Sequence, residues 1–241
     1  MLISVVIPAF NEEGYLGQTL ASLRQAKASL LTEQNDSVEI IVVDNNCVDA
    51  TADIAQDFGA TVVSETEHNV ARVRNTGAKF AKGDILVFVD ADTSVPSDLL
   101  RRIVKVMAEP SCFGGAVDTN NRPAKLAVRI YLKFWRVIGR VAGMAQGATQ
   151  FCRKEIFFAV NGYDETLFMG EDVDFYWRLK RLAMAHSGHI TFIKDIQVVP
   201  STRRFDQWQT WRTLNWTNPL FILMFRRKKT AWHGWYKDSP R

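Results

Sequence analysis

Residues Asp84 to Ser94 read Asp-Ile-Leu-Val-Phe-Val-Asp-Ala-Asp-Thr-Ser, and this stretch constrains the fold more than any other. Five apolar residues, Ile85 to Val89, run unbroken into two carboxylates one residue apart. The run is rich in β-branched and aromatic side chains and has turn formers on both sides. That is the pattern of a parallel strand buried on both faces. Asp90 and Asp92 then stand at the carboxyl end of the strand, where open α/β sheets bind their ligands. Two carboxylates so close repel each other unless a proton or cation intervenes, and a divalent metal carrying phosphate oxygens suits them. An acidic turn closing a strand is the plain alternative, because Asp is common in turns.

The segments before this strand set its context. Leu2 to Ala9, Val38 to Val43 and Ala60 to Ser64 have the composition of strands. Leu16, Leu20, Leu23 and Ala26 recur at helical spacing, Asp49 or Thr51 suits the cap of a second helix closed by Gly59, and Asn69 to Lys82 reads as a third. Pro96 opens a fourth helix running to Met107. Strict alternation of strand and helix predicts a parallel sheet with right-handed crossovers.

After Pro110 the pattern loosens. Strands are expected at Phe113–Thr119, Gly147–Cys152 and Ile190–Val199, and helices over Ala124–Ala145, up to Val160, over Glu171–Ala185 and over Phe205–Trp216. The expected organisation is one domain over residues 1–200, with one half to about 110 and a looser second half from 111 to 200. A helical, basic extension covers 201–241.

Charge narrows the partners. The 30 basic and 26 acidic residues of this 241-residue chain are too balanced to argue for nucleic acid, and no nucleic-acid partner is expected. A mildly basic protein suits an anionic substrate or an anionic membrane surface. Cys47, Cys112 and Cys152 have no metal-ligand spacing and read as reduced thiols of a cytoplasmic protein. The apolar start lacks a basic region and reads as a first strand rather than a signal peptide. No run of about 18 apolar residues predicts a membrane span.

Three strands deliver polar clusters at their carboxyl ends: Asn11-Glu12, Asp44 and Asp90-Ala91-Asp92. A further cluster, Gly170-Glu171-Asp172-Val173-Asp174, opens a helix, where acidic residues also serve the helix dipole. In this combination the chain resembles the family 2 glycosyltransferases of the GT-A fold. The motifs that carry the likeness are Val5 to Glu13, Glu39 to Asp44, Val73-Arg74-Asn75-Thr76-Gly77, Asp90-Ala91-Asp92, Asn161-Gly162-Tyr163-Asp164-Glu165 and Gly170-Glu171-Asp172. They occur in the family's order and span about Leu2 to Leu182.

The resemblance implies a Rossmann-like α/β domain with a mostly parallel central sheet, an α+β acceptor half and a C-terminal helical extension. It implies a nucleotide-sugar pocket formed by Pro8, Phe10, Asn11, Glu12, Asp44, Arg74, Asp90, Ala91 and Asp92. Asp44 would meet the base, and Arg74, with Arg72 as the alternative, the base or diphosphate. Asp92 would hold Mn²⁺ or Mg²⁺. Asp172 would be the general base, with Asp164, Glu165 and Glu171 on the acceptor side. The implied activity is hexosyltransferase-like: one sugar moves, with inversion, from a nucleoside-diphosphate sugar to a carbohydrate or lipid-linked acceptor hydroxyl.

The likeness has departures. Asn45-Asn46-Cys47 replaces the usual residues after the second-strand Asp, and the Gln-x-x-Arg-Trp motif of processive synthases is absent, which favours transfer of a single sugar. His186, His189 and His233 are the candidates for a third metal ligand. Arg203 and Arg204 suit either the diphosphate or a solvated face. Ala124–Ala145 reads as an interfacial helix or a packed one with snorkelling cations. Trp216 to Lys229 reads as a membrane-surface segment or a packed C-terminus, so the inner face of the cell membrane is the alternative to free cytoplasm. Two rival functions fit parts of the pattern. One is a haloacid-dehalogenase-type phosphatase with Asp90 as nucleophile, the other a non-catalytic nucleotide-sugar binder.

Overall fold

A computed structural model describes residues 1–31, 36–141, 144 and 148–232. The first half holds strands β1 (Leu2–Ala9), β2 (Ser37–Asp44), β3 (Thr61–Ser64), β4 (Ile85–Val89) and the two-residue β5 (Thr93–Ser94). Its helices are α1 (Leu16–Leu31), α2 (Thr51–Asp57), α3 (Val70–Phe80) and α4 (Leu99–Met107). The second half adds β6 (Cys112–Thr119), α5 (Leu126–Val141), β7 (Thr149–Arg153), α6 (Lys154–Ala159), α7 (Glu171–Ala185) and β8 (His189–Pro200). A C-terminal arm carries α8 (Arg203–Gln207), α9 (Thr210–Trp216), α10 (Pro219–Phe225) and a 3-10 turn over Lys229–Trp232.

The strands form one sheet in the order β3-β2-β1-β4-β7-β6-β8-β5. β1 pairs in parallel with β2 and β4, while β7 lies antiparallel between β4 and β6 and β5 antiparallel to β8. The expected mostly parallel α/β sheet is present. All five residues of β4 are buried. Ile85, Val87 and Val89 pack in one apolar layer with Leu16, Leu20 and Leu23 of α1 and Leu100 and Ile103 of α4. Leu86 and Phe88 point to the other layer, with Val73 and Ala78 of α3 and Phe175 and Leu179 of α7. This alternation makes the unbroken apolar run of β4 the middle of a three-layer sandwich. Each such side chain contributes about 1.5–3 kcal/mol by leaving water.

Two glycines permit close approach or a turn. A β-carbon on Gly77 would stand 2.3 Å from Val6 Cγ1, so α3 presses onto β1 only because this position has no side chain. Gly59, at φ 74°, turns the chain out of α2 as its position after the helix suggested.

The second half differs from expectation at one helix. Phe205–Trp216 is not continuous: α8 ends at Gln207, Trp208 is extended, and α9 starts at Thr210. Trp208 is buried against the Trp216 ring, 4.9 Å away, and its carbonyl accepts from Lys125 Nζ. That tertiary burial overrides the helical pattern. The expected end of the helix at Ala145, the start of the strand at Gly147, and His233 lie outside the described residues. Among the described residues no helix is long and apolar enough to cross a membrane.

Candidate active site

The sheet reverses its winding at β1, which lies between β2 and β4. The carboxyl ends of β1 and β4 open there into a cleft of about 570 Å³, of ligand-binding size. Pro8, Phe10 and Glu12 line it from the β1 side, and Asp90, Ala91 and Asp92 from the β4 side. Arg74 enters from α3, and Gly170, Glu171 and Asp172 from the start of α7. The sheet and two helix ends therefore bring together most of the residues that the sequence pointed to.

Arg74 is buried and bridges the two halves. Its Nη2 donates to Asp90 Oδ1 at 2.8 Å and its Nη1 to Glu171 Oε1 at 2.7 Å, above the Tyr163 ring at 5.2 Å. Burial alone would lower its pKa, but Asp90, Tyr163 and Glu171 raise it above the ordinary guanidinium value.

Asp172 lies beside this bridge. Burial, with Glu171 next, pushes its carboxyl up to about 7 despite Arg74. Its position is fixed from behind: Tyr163 OH donates to Gln150 Oε1 at 2.9 Å, and Gln150 Nε2 donates to the Asp172 carbonyl at 3.0 Å.

Asp92 shares its neighbourhood with Glu12. Arg203 Nη2 reaches across from α8, 2.6 Å from Glu12 Oε1 and 3.4 Å from Asp92 Oδ2, with its guanidinium over the Tyr15 ring at 4.2 Å. Glu12 Oε2 is buried without a hydrogen-bond partner. Burial, with Asp90 beside it, pushes the Asp92 carboxyl up to about 6 against the pull of Arg203. Crowded carboxylates with an orphaned oxygen suit a divalent cation, and Asp92, with Asp90 nearby, could hold one. Among the described residues no group of three or more His, Cys, Asp and Glu side chains converges as a self-contained metal cluster.

Other expected residues sit elsewhere. Asn11 lies at φ 53° and its Oδ1 accepts from Val48 N at 2.9 Å, which ties the β1 loop to the β2 loop outside the cleft lining. Asp44 ends β2 half-buried and accepts from Cys47 N at 2.8 Å, while its neighbour Asn45 lines the cleft. Asp164 accepts from Thr166, and Glu165 accepts from Asn75 Nδ2 at 2.9 Å; neither lines the cleft. Asn75 also bonds both the amide and the carbonyl of Tyr163. The Asn161–Glu165 motif is thus the clamp that seats its loop on α3. His189 begins β8, whose far end pairs with β5, and neither His189 nor His186 lines the cleft. Burial, then Asp44, pushes the Cys47 thiol up to about 12, consistent with an unreactive thiol.

Sequence reasoning passed over four features: the Arg74–Glu171 pair, the Gln150 support, His68, whose ring lies 4.6 Å from Phe10, and Lys229 at the cleft. The basic run that looked like a membrane tether is partly spent within the fold. Arg226 Nη1 lies 3.9 Å from Asp174 and Arg227 Nη2 3.5 Å from Asp164, and the Arg226 carbonyl accepts from Phe168 N at 2.7 Å.

With this geometry in place, the family model described as glycosyl transferase family 2 matches residues 4–160. The chain belongs to glycosyl transferase family 2. That membership removes the phosphatase alternative. Among curated relatives of this family 2 chain, the beta-monoglucosyldiacylglycerol synthase of Synechocystis is 29% identical over 201 residues, covering 73% of this chain and 40% of that protein. Glycosyltransferase AglE of Haloferax volcanii is 25% identical, covering 80% of this chain and 65% of its own length. The chain therefore spans less than two thirds of these relatives. The mannosyltransferase PcManGT from Pyrobaculum calidifontis, solved with GDP-Man and Mn2+, superposes with a TM-score of 0.65 at 24% identity, covering 87% of this chain and 59% of its own. TarS of S. aureus with UDP-GlcNAc superposes with a TM-score of 0.63 at 18% identity, covering 83% and 59%. These structures share the GT-A fold.

Proposed function

We propose that this family 2 chain transfers a single sugar from a nucleoside-diphosphate sugar to an acceptor hydroxyl, with inversion and with the help of a divalent metal. The observation that carries the reading is Asp172. It is a carboxylate of raised pKa, held in place by Gln150, in the same cleft as Asp90 and Asp92. A group tuned near neutrality is suited to accept a proton.

In this reading the acceptor oxygen attacks the anomeric carbon while its proton passes to Asp172. The bond from that carbon to the diphosphate oxygen breaks, and the electron pair leaves with the nucleoside diphosphate. One base and one displacement invert the anomeric carbon, through an oxocarbenium-like transition state. A bound Mn²⁺ or Mg²⁺ would supply positive charge to the leaving diphosphate. Asp92 would hold that ion, and Arg203, Arg204 and Lys229 would face the phosphates. Phe10 and His68 would flank the base, with Asp44 and Asn45 at its polar edge. Arg74 orients Asp90 toward the sugar or ribose. The complexes of relatives with GDP-Man and UDP-GlcNAc support a nucleotide-sugar donor. Residues 1–110 form the donor half and 111–200 the acceptor half, and the acceptor is a carbohydrate or a lipid-linked hydroxyl compound.

The test is incubation with a panel of nucleotide sugars with and without Mn²⁺. Turnover of one donor that needs the metal, and falls in both Asp92→Ala and Asp172→Asn, is expected. Turnover undiminished in both variants would sink the role assignments. Donor binding with no turnover against any acceptor in a broad panel would instead favour the non-catalytic binder.

A further inference from the structure

We propose that the outer face of α5, continued by α10, seats this protein on an anionic lipid surface. Leu126, Ile130, Phe134 and Val137 recur at three- and four-residue spacing and form one stripe on α5. A surface helix ordinarily turns such a stripe into the core. Here all four are exposed, while Val128 on the opposite side is fully buried and Tyr131 OH donates to the Leu214 carbonyl of α9 at 3.1 Å. The helix faces the protein with one side and presents a second apolar side outward.

The pattern extends beyond α5. Helix α9 adjoins both α5 and α10. On α10, Ile222 turns in toward Gly170 and Phe221 packs on Trp232, while Leu220, Leu223 and Met224 stay exposed. Among the described residues, nine of the fifteen large exposed hydrophobic side chains lie on α5, α9 and α10. Scattered apolar residues are ordinary on a surface, whereas a concentration of this kind marks a contact.

Charge selects the partner. Exposed Arg129 and Lys133 border the α5 stripe. The sequence holds no acidic residue from 119 to 154, nor from 207 to 237. A second copy meeting this face about a two-fold axis would set the same cations against themselves. An anionic lipid surface neutralises them while the apolar stripe enters the acyl boundary. The contact falls on α5 and α10 rather than on the basic run at 226–229, whose arginines pair within the fold. It is independent of the proposed transfer chemistry.

Co-sedimentation tests this. The purified chain is spun with phosphatidylcholine vesicles, with or without phosphatidylglycerol, at low and high salt. Binding at least about tenfold stronger to the anionic vesicles, weakened by salt, is expected. The double variant Ile130→Glu/Phe134→Glu should lose about tenfold or more of that binding with its melting temperature kept, because both side chains are exposed. Lys133→Glu, which leaves the stripe intact, should weaken binding to anionic vesicles alone. Absence of vesicle binding, equal binding to neutral vesicles, or unchanged binding in both variants would overturn the proposal. A concentration-dependent dimer seen by light scattering, lost in the double variant and without vesicle binding, would assign the face to a second copy instead.

Discussion

The N-terminal half and the C-terminal arm both reach the cleft, but they are built by opposite rules. The N-terminal half fixes its acids on buried strands. Asp90 follows a strand with no exposed residue, packed between two apolar layers. The arm consists of helices of five to seven residues, and none of the residues of α10 is buried. It is held by scattered contacts, among them Arg203 on Glu12, the Arg226 carbonyl on Phe168, Lys125 on the Trp208 carbonyl, Tyr131 on the Leu214 carbonyl and Ile222 beside Gly170. Helices this short have little stability of their own, so these contacts decide where the arm lies. A site can thus combine acids whose geometry is rigid with cations whose support is separable from the core.

The largest expected effect tests the rigid side. Asp172→Asn should lower turnover by about a hundredfold to ten-thousandfold with donor affinity retained, as read by steady-state kinetics and donor titration. As the proposed base, Asp172 works only when deprotonated. Its raised pKa therefore predicts a rate that climbs as pH rises through about 7 and falls below it. A flat profile between acid and neutral pH would remove Asp172 from that role.

The second test compares the regions directly. Phe88→Ala should cost about 3–5 kcal/mol in denaturant unfolding. Leu223→Ala, on the exposed face of α10, should stay within about 0.5 kcal/mol. Similar losses at the two positions would break the contrast.

Arg203→Ala probes the joint between them. It leaves Glu12 buried without its cation, and removal of one partner from a buried pair costs about 3–5 kcal/mol. Some of that cost is relieved if the arm lifts and water enters. A melting-temperature loss well below that of Phe88→Ala, together with faster proteolysis after residue 200, would show the arm detaching while the domain stays folded.

A modest effect is expected at Gly170. An alanine there must adopt φ 73°, which costs about 1–2 kcal/mol. It should show as a modest shift in unfolding midpoint.

The same contrast explains what could be read from the sequence. β1, β2 and β4 were legible because burial on both faces demands unbroken apolar runs, and their acids follow from where strands end. The start of α7 was legible from its acidic first turn. The Arg74–Glu171 pair spans 97 residues of chain and Arg203–Glu12 spans 191, and local pattern carries no trace of which distant charges meet. The break at Trp208 had no local signal either, because a buried indole against Trp216 set it. On α5 the apolar period was plain, but not that the stripe faces outward. Asn161–Glu165 was recognisable as a motif, while its work as a clamp on Asn75 became visible only in the fold.

Gly170 ends α7 at its amino side and also touches the arm: a β-carbon there would stand 3.2 Å from Ile222 Cγ2. One position thus serves as the backbone corner that delivers Asp172 and as the socket for α10. Its permitted alphabet is therefore nearly a single letter. A larger residue would have to bend the corner and dislodge the helix together, so change at this site is expected to travel with change at 222.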